Sequence, residues 1–330
     1  MNSKDRVLIT GCGGMLGEAV YECFYREYRH VRATDISLTE PWLSRLDVRD
    51  IAECERAFGE IKPTIVLHLA ALTDVEYCER NQGDCWKTNA LGVENVALLA
   101  RQYDATMVYI STAGIFAGEK EEFHDFDVPN PLSQYARAKY HGERFVEAHV
   151  PKHFCLRAGW MMGGGPKKDK KFINKIFQQI KVGSRELRVV DDKFGTPTYT
   201  VDFARSAAFL LTTRYYGVYN HACEGGGSRY DVAVEFVRLL GLSGEVKVTK
   251  VHSDYYKDTY FAPRPDSERV VNLKLNARGL NRMRDWRTCL KEYCQLYRRE
   301  IEVPAIRMSR PQVPRPTVSV TKGLNGGHLR

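Results

Sequence analysis

The strand, glycine loop and helix that open the chain constrain its fold more than any other feature. Arg6-Val-Leu-Ile-Thr10 is a short aliphatic run and reads as a buried strand. Gly11-Cys-Gly-Gly-Met-Leu-Gly17 follows at once, and the stretch from Met15 to Tyr28 has helical character. That order is the context a dinucleotide fingerprint requires. Glycine permits the tight turn and a close approach of backbone to a ligand. The N-terminus of the helix favours the negative charge of a pyrophosphate. The spacing is Gly-x-x-Gly-x-x-Gly, and Gly11, Gly14, Met15, Leu16 and Gly17 are the candidate cofactor-binding residues of the loop. An acidic residue should end the second strand, and His30-Val-Arg-Ala-Thr-Asp35 supplies Asp35. A carboxylate there accepts hydrogen bonds from ribose hydroxyls and repels a 2′-phosphate. Ile36 and Ser37 follow, not arginine, so the reading favours NAD(H) and leaves NADP(H) as the alternative.

Strand-like and helix-like runs alternate through the first half of the chain. Thr64-Ile-Val-Leu-His-Leu69, Thr106-Met-Val-Tyr-Ile-Ser111 and His153-Phe-Cys-Leu-Arg157 read as buried strands, and 84–103 and 133–149 as helices. Alternation of this kind implies βαβ units and a parallel sheet. The expected fold is therefore α/β, a Rossmann-type doubly wound parallel sheet with a smaller mixed α/β substrate lobe. The dinucleotide domain is placed at 1–157, with returning strands within 186–222, at Leu187–Val190 and Gly217–His221. The lobe is assigned to 158–185 and 223–302, with helices at 172–181, 230–240 and 287–299. A substrate would lie at the carboxyl ends of the strands, between the sheet and the lobe.

Composition removes several other classes. No apolar run reaches the length of a membrane-spanning helix, and the polar start leads straight into a strand, unlike a signal peptide. The nine cysteines are scattered, without Cys-x-x-Cys or zinc spacing. Reduced thiols, a cytoplasmic setting and no metal site are expected. The net charge of +8 is uneven. Residues 303–330 form a basic, Pro-rich tail expected to be flexible and to bind neither nucleic acid nor membrane. Lys167, Lys168, Lys170, Lys171 and Lys175 make a second basic cluster. It reads as a solvated face, or as an attractor for an anionic nucleotide substrate.

Within Ser133-Gln-Tyr-Ala-Arg-Ala-Lys-Tyr-His-Gly142, Tyr135 and Lys139 are four apart, which puts them on one helix face. An ammonium beside a phenol stabilises the phenolate, so the tyrosine pKa is expected to fall from about 10 toward working pH. Such a tyrosine can protonate an alkoxide or deprotonate an alcohol. Alone the pair is a weak signal, since many solvated helices carry it.

Together, Thr10-Gly11-x-x-Gly14-x-x-Gly17, Ser111-Thr112 and Tyr135-x-x-x-Lys139 resemble the extended short-chain dehydrogenase/reductase superfamily. Arg157-Ala-Gly-Trp160, Val189-Val-Asp-Asp-Lys-Phe-Gly-Thr-Pro-Thr198 and Arg264-Pro265 are similar to segments of one branch, the dTDP-4-dehydrorhamnose reductases. The resemblance implies reduction of a 4-keto group on a nucleotide-activated deoxysugar, for surface polysaccharide synthesis. It makes Tyr135 the general acid, Lys139 its pKa tuner and a ribose contact, and Thr112 a donor to the substrate carbonyl. Asp47 and Val48 would contact adenine. Ala70 and Ala71 would let the dinucleotide lie close, and Asn89 would hold a backbone bend. Thr73, Trp160 and Arg264 are the candidate substrate contacts, with Trp160 covering the sugar. A homodimer is compatible with it.

Two departures bear on the substrate. The branch has Ser-Thr-Asp-Tyr-Val-Phe where this chain has Ser111-Thr-Ala-Gly-Ile-Phe116, and Glu268 stands where its serine follows Arg-Pro. Other readings stay open. Thr112 could cap a turn, Trp160 could be core, and Asn89 could face solvent in mid-helix. Asp191 and Asp192 read as turn formers. Two functional alternatives are an epimerase that retains NAD and a non-catalytic subunit resembling the regulatory subunit of methionine adenosyltransferase.

Overall fold

The computed structural model describes residues 2–308. Its centre is a seven-stranded parallel sheet. The strands are β1 (Asn2–Thr10), β2 (Tyr28–Asp35), β3 (Leu43–Arg45), β4 (Ile65–His68), β5 (Thr106–Thr112), β6 (His153–Ala158) and an edge strand, Gly217–Asn220. Their order across the sheet is Gly217–Asn220, β6, β5, β4, β1, β2, β3. The chain reverses its direction of travel beside β1, and in such sheets ligands lie outside the carboxyl ends near that point. Thr10, Asp35, His68, Thr112 and Ala158 all end strands on that edge.

The central strands are hydrophobic throughout because both faces are covered. Side chains alternate, so Val7 and Ile9 join one core with Leu67, Val108, Phe154 and Leu156. Leu8 points the other way and joins Val66, Met107, Tyr109 and Cys155. Three helices define the second face: α2 (Ile51–Ile61), α5 (Gly92–Gln102) and α6 (Gln134–His149). The first face is covered by α1 (Gly17–Glu27) and the helix Thr200–Thr213. Ser133 caps α6 by accepting the Ala136 amide at 3.2 Å.

Three expectations need correcting. Leu187–Val190 does not return to the main sheet. The strand Glu186–Val190 pairs in parallel with Lys247–Val251, away from the seven-stranded sheet. Leu187 and Val189 alternate inward toward the helices Phe172–Lys181 and Arg229–Leu240, whose apolar faces need cover. The helix expected over 84–103 is not uniform. It runs as α4 (Gln82–Trp86), a π-helical turn Lys87–Leu91, and α5. The last helix spans Trp286–Met308, past the boundary set at 303. Its anchor is internal: Trp286, Tyr293 and Tyr297 are fully buried on one side of it. The remainder of the basic tail lies outside the described residues. Among the described residues, no helix is long and apolar enough to cross a membrane.

Candidate active site

The glycine loop has room for a phosphate and for little else. Gly11 has φ +70, and a Cβ there would lie 2.3 Å from the Ala70 Cα. A Cβ at Gly17 would lie 1.8 Å from the Cys12 carbonyl oxygen. These two glycines are required by backbone contacts. Gly14 differs, because the nearest atom to its missing Cβ is the Gly11 oxygen at 3.6 Å. It leaves space over the start of α1. Leu16 at the helix N-cap offers no side-chain cap, and the Met15 and Leu16 amides donate to no group among the described residues. Free amides at the positive end of a helix suit an anion. The residues present thus fit the pyrophosphate of a dinucleotide.

Asp35 stands at the rim. Its Oδ2 accepts the Gly13 amide and its Oδ1 the Ser37 amide, each at 2.9 Å. Gly13 was not singled out by the spacing, yet a Cβ there would sit 3.1 Å from the carboxylate. The neighbouring pair Gly13-Gly14 was the available signal. Asp47 and Val48 lie beyond β3, but their groups are already engaged. The Arg49 guanidinium clamps the Asp47 carboxyl and holds it below the usual range, and Val48 is buried against Gly92. Ala70 and Ala71 follow β4 directly and are half-buried. Asn89 is fully buried, not solvent-facing. Its amide accepts the Leu72 N–H at 2.8 Å and donates to the Leu72 carbonyl at 2.9 Å. It sits in the π-helical turn, a deformation often found at functional sites.

Thr112, Tyr135 and Lys139 come together at the end of β5. The Thr112 Oγ1 accepts the Gly114 amide at 3.1 Å, so it does cap the short 3-10 turn Ala113–Ile115. Tyr135 stands beside the same hydroxyl, close enough for it to oppose the rise in the phenol's pKa. The turn-capping reading of Thr112 holds. Lys139 is buried, with its ammonium 4.2 Å from the centroid of the Tyr109 ring. The Tyr109 hydroxyl donates to the Lys139 carbonyl at 2.9 Å, which fixes the ring beneath the amine.

The expected fall of the tyrosine pKa is not found. Burial pushes Tyr135 well above its ordinary range, and the Thr112 hydroxyl only partly offsets this. Burial also pulls Lys139 down to about 7. Desolvation penalises either charge, and it outweighs mutual stabilisation here because the amine rests over Tyr109 rather than the phenol. The phenol is therefore held protonated, the form that can donate.

The candidate substrate residues lie on segments that join the sheet to the lobe. The Thr73 carbonyl and hydroxyl accept from Lys171 Nζ at 2.8 and 3.1 Å. Arg264 forms a two-point ion pair with Glu76, at 2.6 and 2.8 Å. Each contact ties the segment after β4 to the lobe. Trp160 carries the Arg229 guanidinium 3.4 Å over its ring, and a Cβ at Gly195 would strike the indole at 2.2 Å. Its edge remains, and Nε1 donates to Glu268 at 3.2 Å. The basic cluster divides. Lys171 is buried enough that its pKa is lowered, while Lys168 turns to Glu18 and Glu40. Arg229, which no motif marked, is desolvated beside Trp160 and pulled down to about 10. Asp191 and Asp192 stay at the turn, paired with Lys250 and His252. Among the described residues, no cluster of three or more His, Cys, Asp or Glu could hold a metal.

The parallel sheet, the glycine cradle and the Thr–Tyr–Lys group define an oxidoreductase of the extended short-chain dehydrogenase/reductase class. The model of the family described as RmlD substrate binding domain matches residues 5–299. The chain belongs to that family, the dTDP-4-dehydrorhamnose reductase family. It is 30% identical to the spore coat polysaccharide biosynthesis protein SpsK of Bacillus subtilis, over 88% of this chain and 97% of that protein. A solved dTDP-4-dehydrorhamnose reductase from Clostridium acetobutylicum superposes with TM-score 0.80 at 35% identity, over 88% of this chain and 99% of the other. The Bacillus anthracis dTDP-4-dehydrorhamnose reductase, solved in complex with NADP, also gives TM-score 0.80, at 30% identity over 88% and 98%.

Proposed function

We propose that this protein reduces the 4-keto group of a nucleotide-activated deoxysugar, in the synthesis of a surface polysaccharide. The observation that carries the reading is the placing of Tyr135 beside Thr112 at the end of β5, directly beyond a cradle shaped for a dinucleotide. A reduced nicotinamide, when bound, supplies the hydride. The rest of the chemistry belongs to the chain. Thr112 donates to the carbonyl oxygen and polarises it. Tyr135 delivers a proton as that oxygen gains charge. Lys139 offers a hydrogen bond to the nicotinamide ribose. Lys171 and Arg229, both desolvated at the cleft wall, supply positive charge for the diphosphate of the substrate.

The reading extends to the cofactor. Asp35 at the end of β2 favours NAD(H), because a 2′-phosphate would meet its carboxylate. The NADP complex of the Bacillus anthracis enzyme keeps NADP(H) as the alternative. A panel of dTDP-, GDP-, UDP- and CDP-linked 4-keto sugars, followed by loss of reduced-nicotinamide absorbance, tests the whole reading. One member should be reduced with one reduced nicotinamide consumed per sugar. Conversion without added cofactor would mark an epimerase. Tight dinucleotide binding with no conversion would mark a binding subunit.

A further inference from the structure

The segment after Arg264 brings into the cleft a carboxylate that no role above uses. Ser267–Glu268 is a two-residue strand paired in parallel with Phe194–Gly195, Glu268 opposite Gly195. Ser267 Oγ donates to the Glu121 carbonyl at 2.6 Å, and the Asp266 carbonyl accepts the Phe194 amide at 2.8 Å. The backbone under Glu268 is thus fixed on both sides. Its side chain is fixed as well, because Trp160 Nε1 donates to Oε2 and Trp160 is itself wedged between Arg229 and Gly195.

Glu268 has neighbours of opposite charge but no ion pair. Burial raises its pKa, and Arg229, Arg264 and Lys193 lie close enough to offset part of that rise. Yet Lys193 pairs with Asp266 and Arg264 pairs with Glu76. Oε1 has no hydrogen-bond partner among the described residues. A carboxylate held by one indole and ringed by cations keeps spare acceptor capacity.

Gly114 lies between that carboxylate and Thr112. A Cβ on Gly114 would lie 3.4 Å from the Thr112 hydroxyl oxygen and 3.7 Å from Glu268 Oε2. The hydroxyl assigned to the reacting carbonyl and the Glu268 carboxylate therefore flank one open point. Any side chain at 114 would stand between them. The charge of Glu268 also reaches Tyr135.

We propose that Glu268 determines substrate specificity by accepting a hydrogen bond from a donor on the sugar carbon next to the one reduced. The inference rests on the reductase reading above. A ring whose carbonyl oxygen meets Thr112 and Tyr135 presents its adjacent substituent over Gly114, toward Glu268. The donor is a hydroxyl or an ammonium, since a carboxylate accepts from either. A ring lacking that donor leaves the carboxylate desolvated and unpaired, which is the strong form of discrimination.

The test compares kcat/KM for 4-keto nucleotide sugars that carry hydroxyl, amino or hydrogen at the adjacent carbon. The wild type, Glu268→Gln and Glu268→Ala are assayed, with dinucleotide affinity as the control for folding. The wild type should prefer a donor-bearing sugar over its deoxy partner by about 10²-fold. Glu268→Ala should shrink that ratio by about 10–100-fold, the worth of a hydrogen bond to a charged group. Glu268→Gln separates the donors. It keeps about a tenth of the preference for a hydroxyl, and it abolishes the preference for an ammonium. Gly114→Ser places a group between Thr112 and Glu268 and should shrink the ratio as well, so the inference stays testable if Glu268→Ala loses its fold. Turnover with the same ratio in the wild type and all variants would overturn this inference alone. No turnover of any member by the wild type would overturn the reductase reading and this inference with it.

Discussion

The proposed preference for NAD(H) rests on one side chain, Asp35. The carboxylate is held by two backbone amides, so it cannot swing aside for a second negative charge. A ribose bearing two hydroxyls offers it donors, and a 2′-phosphate offers only repulsion. Asp35→Ala should therefore raise the dissociation constant for NADH by about tenfold and leave that for NADPH within about threefold, as read by fluorescence titration. A variant that loses NADPH more than NADH would contradict the assignment. At the same scale, Tyr135 explains what the four-residue spacing could and could not convey. The spacing put Tyr135 and Lys139 on one face of α6, and they are there. It could not convey their burial, and burial reverses the expected direction of the tyrosine pKa.

The helix α6 is held so that those two groups meet the end of β5. Arg157 on β6 makes a buried two-point ion pair with Glu143, which locks the middle of the helix to the sheet. At the first turn, the Gln134 amide donates to Glu79 and the Gln134 side chain accepts from the Trp86 indole. Gly142 permits the closest approach. A Cβ there would lie 2.7 Å from the Tyr109 hydroxyl and 3.3 Å from the Asn89 carbonyl oxygen. Gly142→Ala should push Tyr109 from beneath Lys139, lower kcat about tenfold and cost about 1–3 kcal/mol by denaturant unfolding. Unchanged kcat would detach Tyr109 from the positioning of Lys139. Elements of this kind were legible where periodicity was strong: Phe172–Lys181 begins and ends where the apolar pattern does. The π-helical turn at Lys87–Leu91 was not, because it arises from Asn89 reaching Leu72, a contact set by the tertiary fold.

For the whole molecule, the parallel sheet was written in the alternation of apolar runs with helical stretches, and its carboxyl edge was a consequence of that topology. The partner of Glu186–Val190 was not, since two short strands of similar character competed for any sheet edge. The same holds for the cleft wall. Thr73 to Lys171 and Glu76 to Arg264 join segments about a hundred to nearly two hundred residues apart, and no local pattern pairs them. Departures from the family pattern at Ala113, Gly114 and Glu268 were visible in the sequence, but only the fold brings them around one point.

The proposed function turns on the phenol of Tyr135 as the proton donor. The most direct measurement is turnover of Tyr135→Phe with a reduced nicotinamide and the best 4-keto sugar nucleotide of the panel. Dinucleotide affinity is measured on the same preparation. Loss of kcat by about 10²–10⁴-fold with dinucleotide binding intact is the predicted result. A kcat within twofold of the wild type would contradict it.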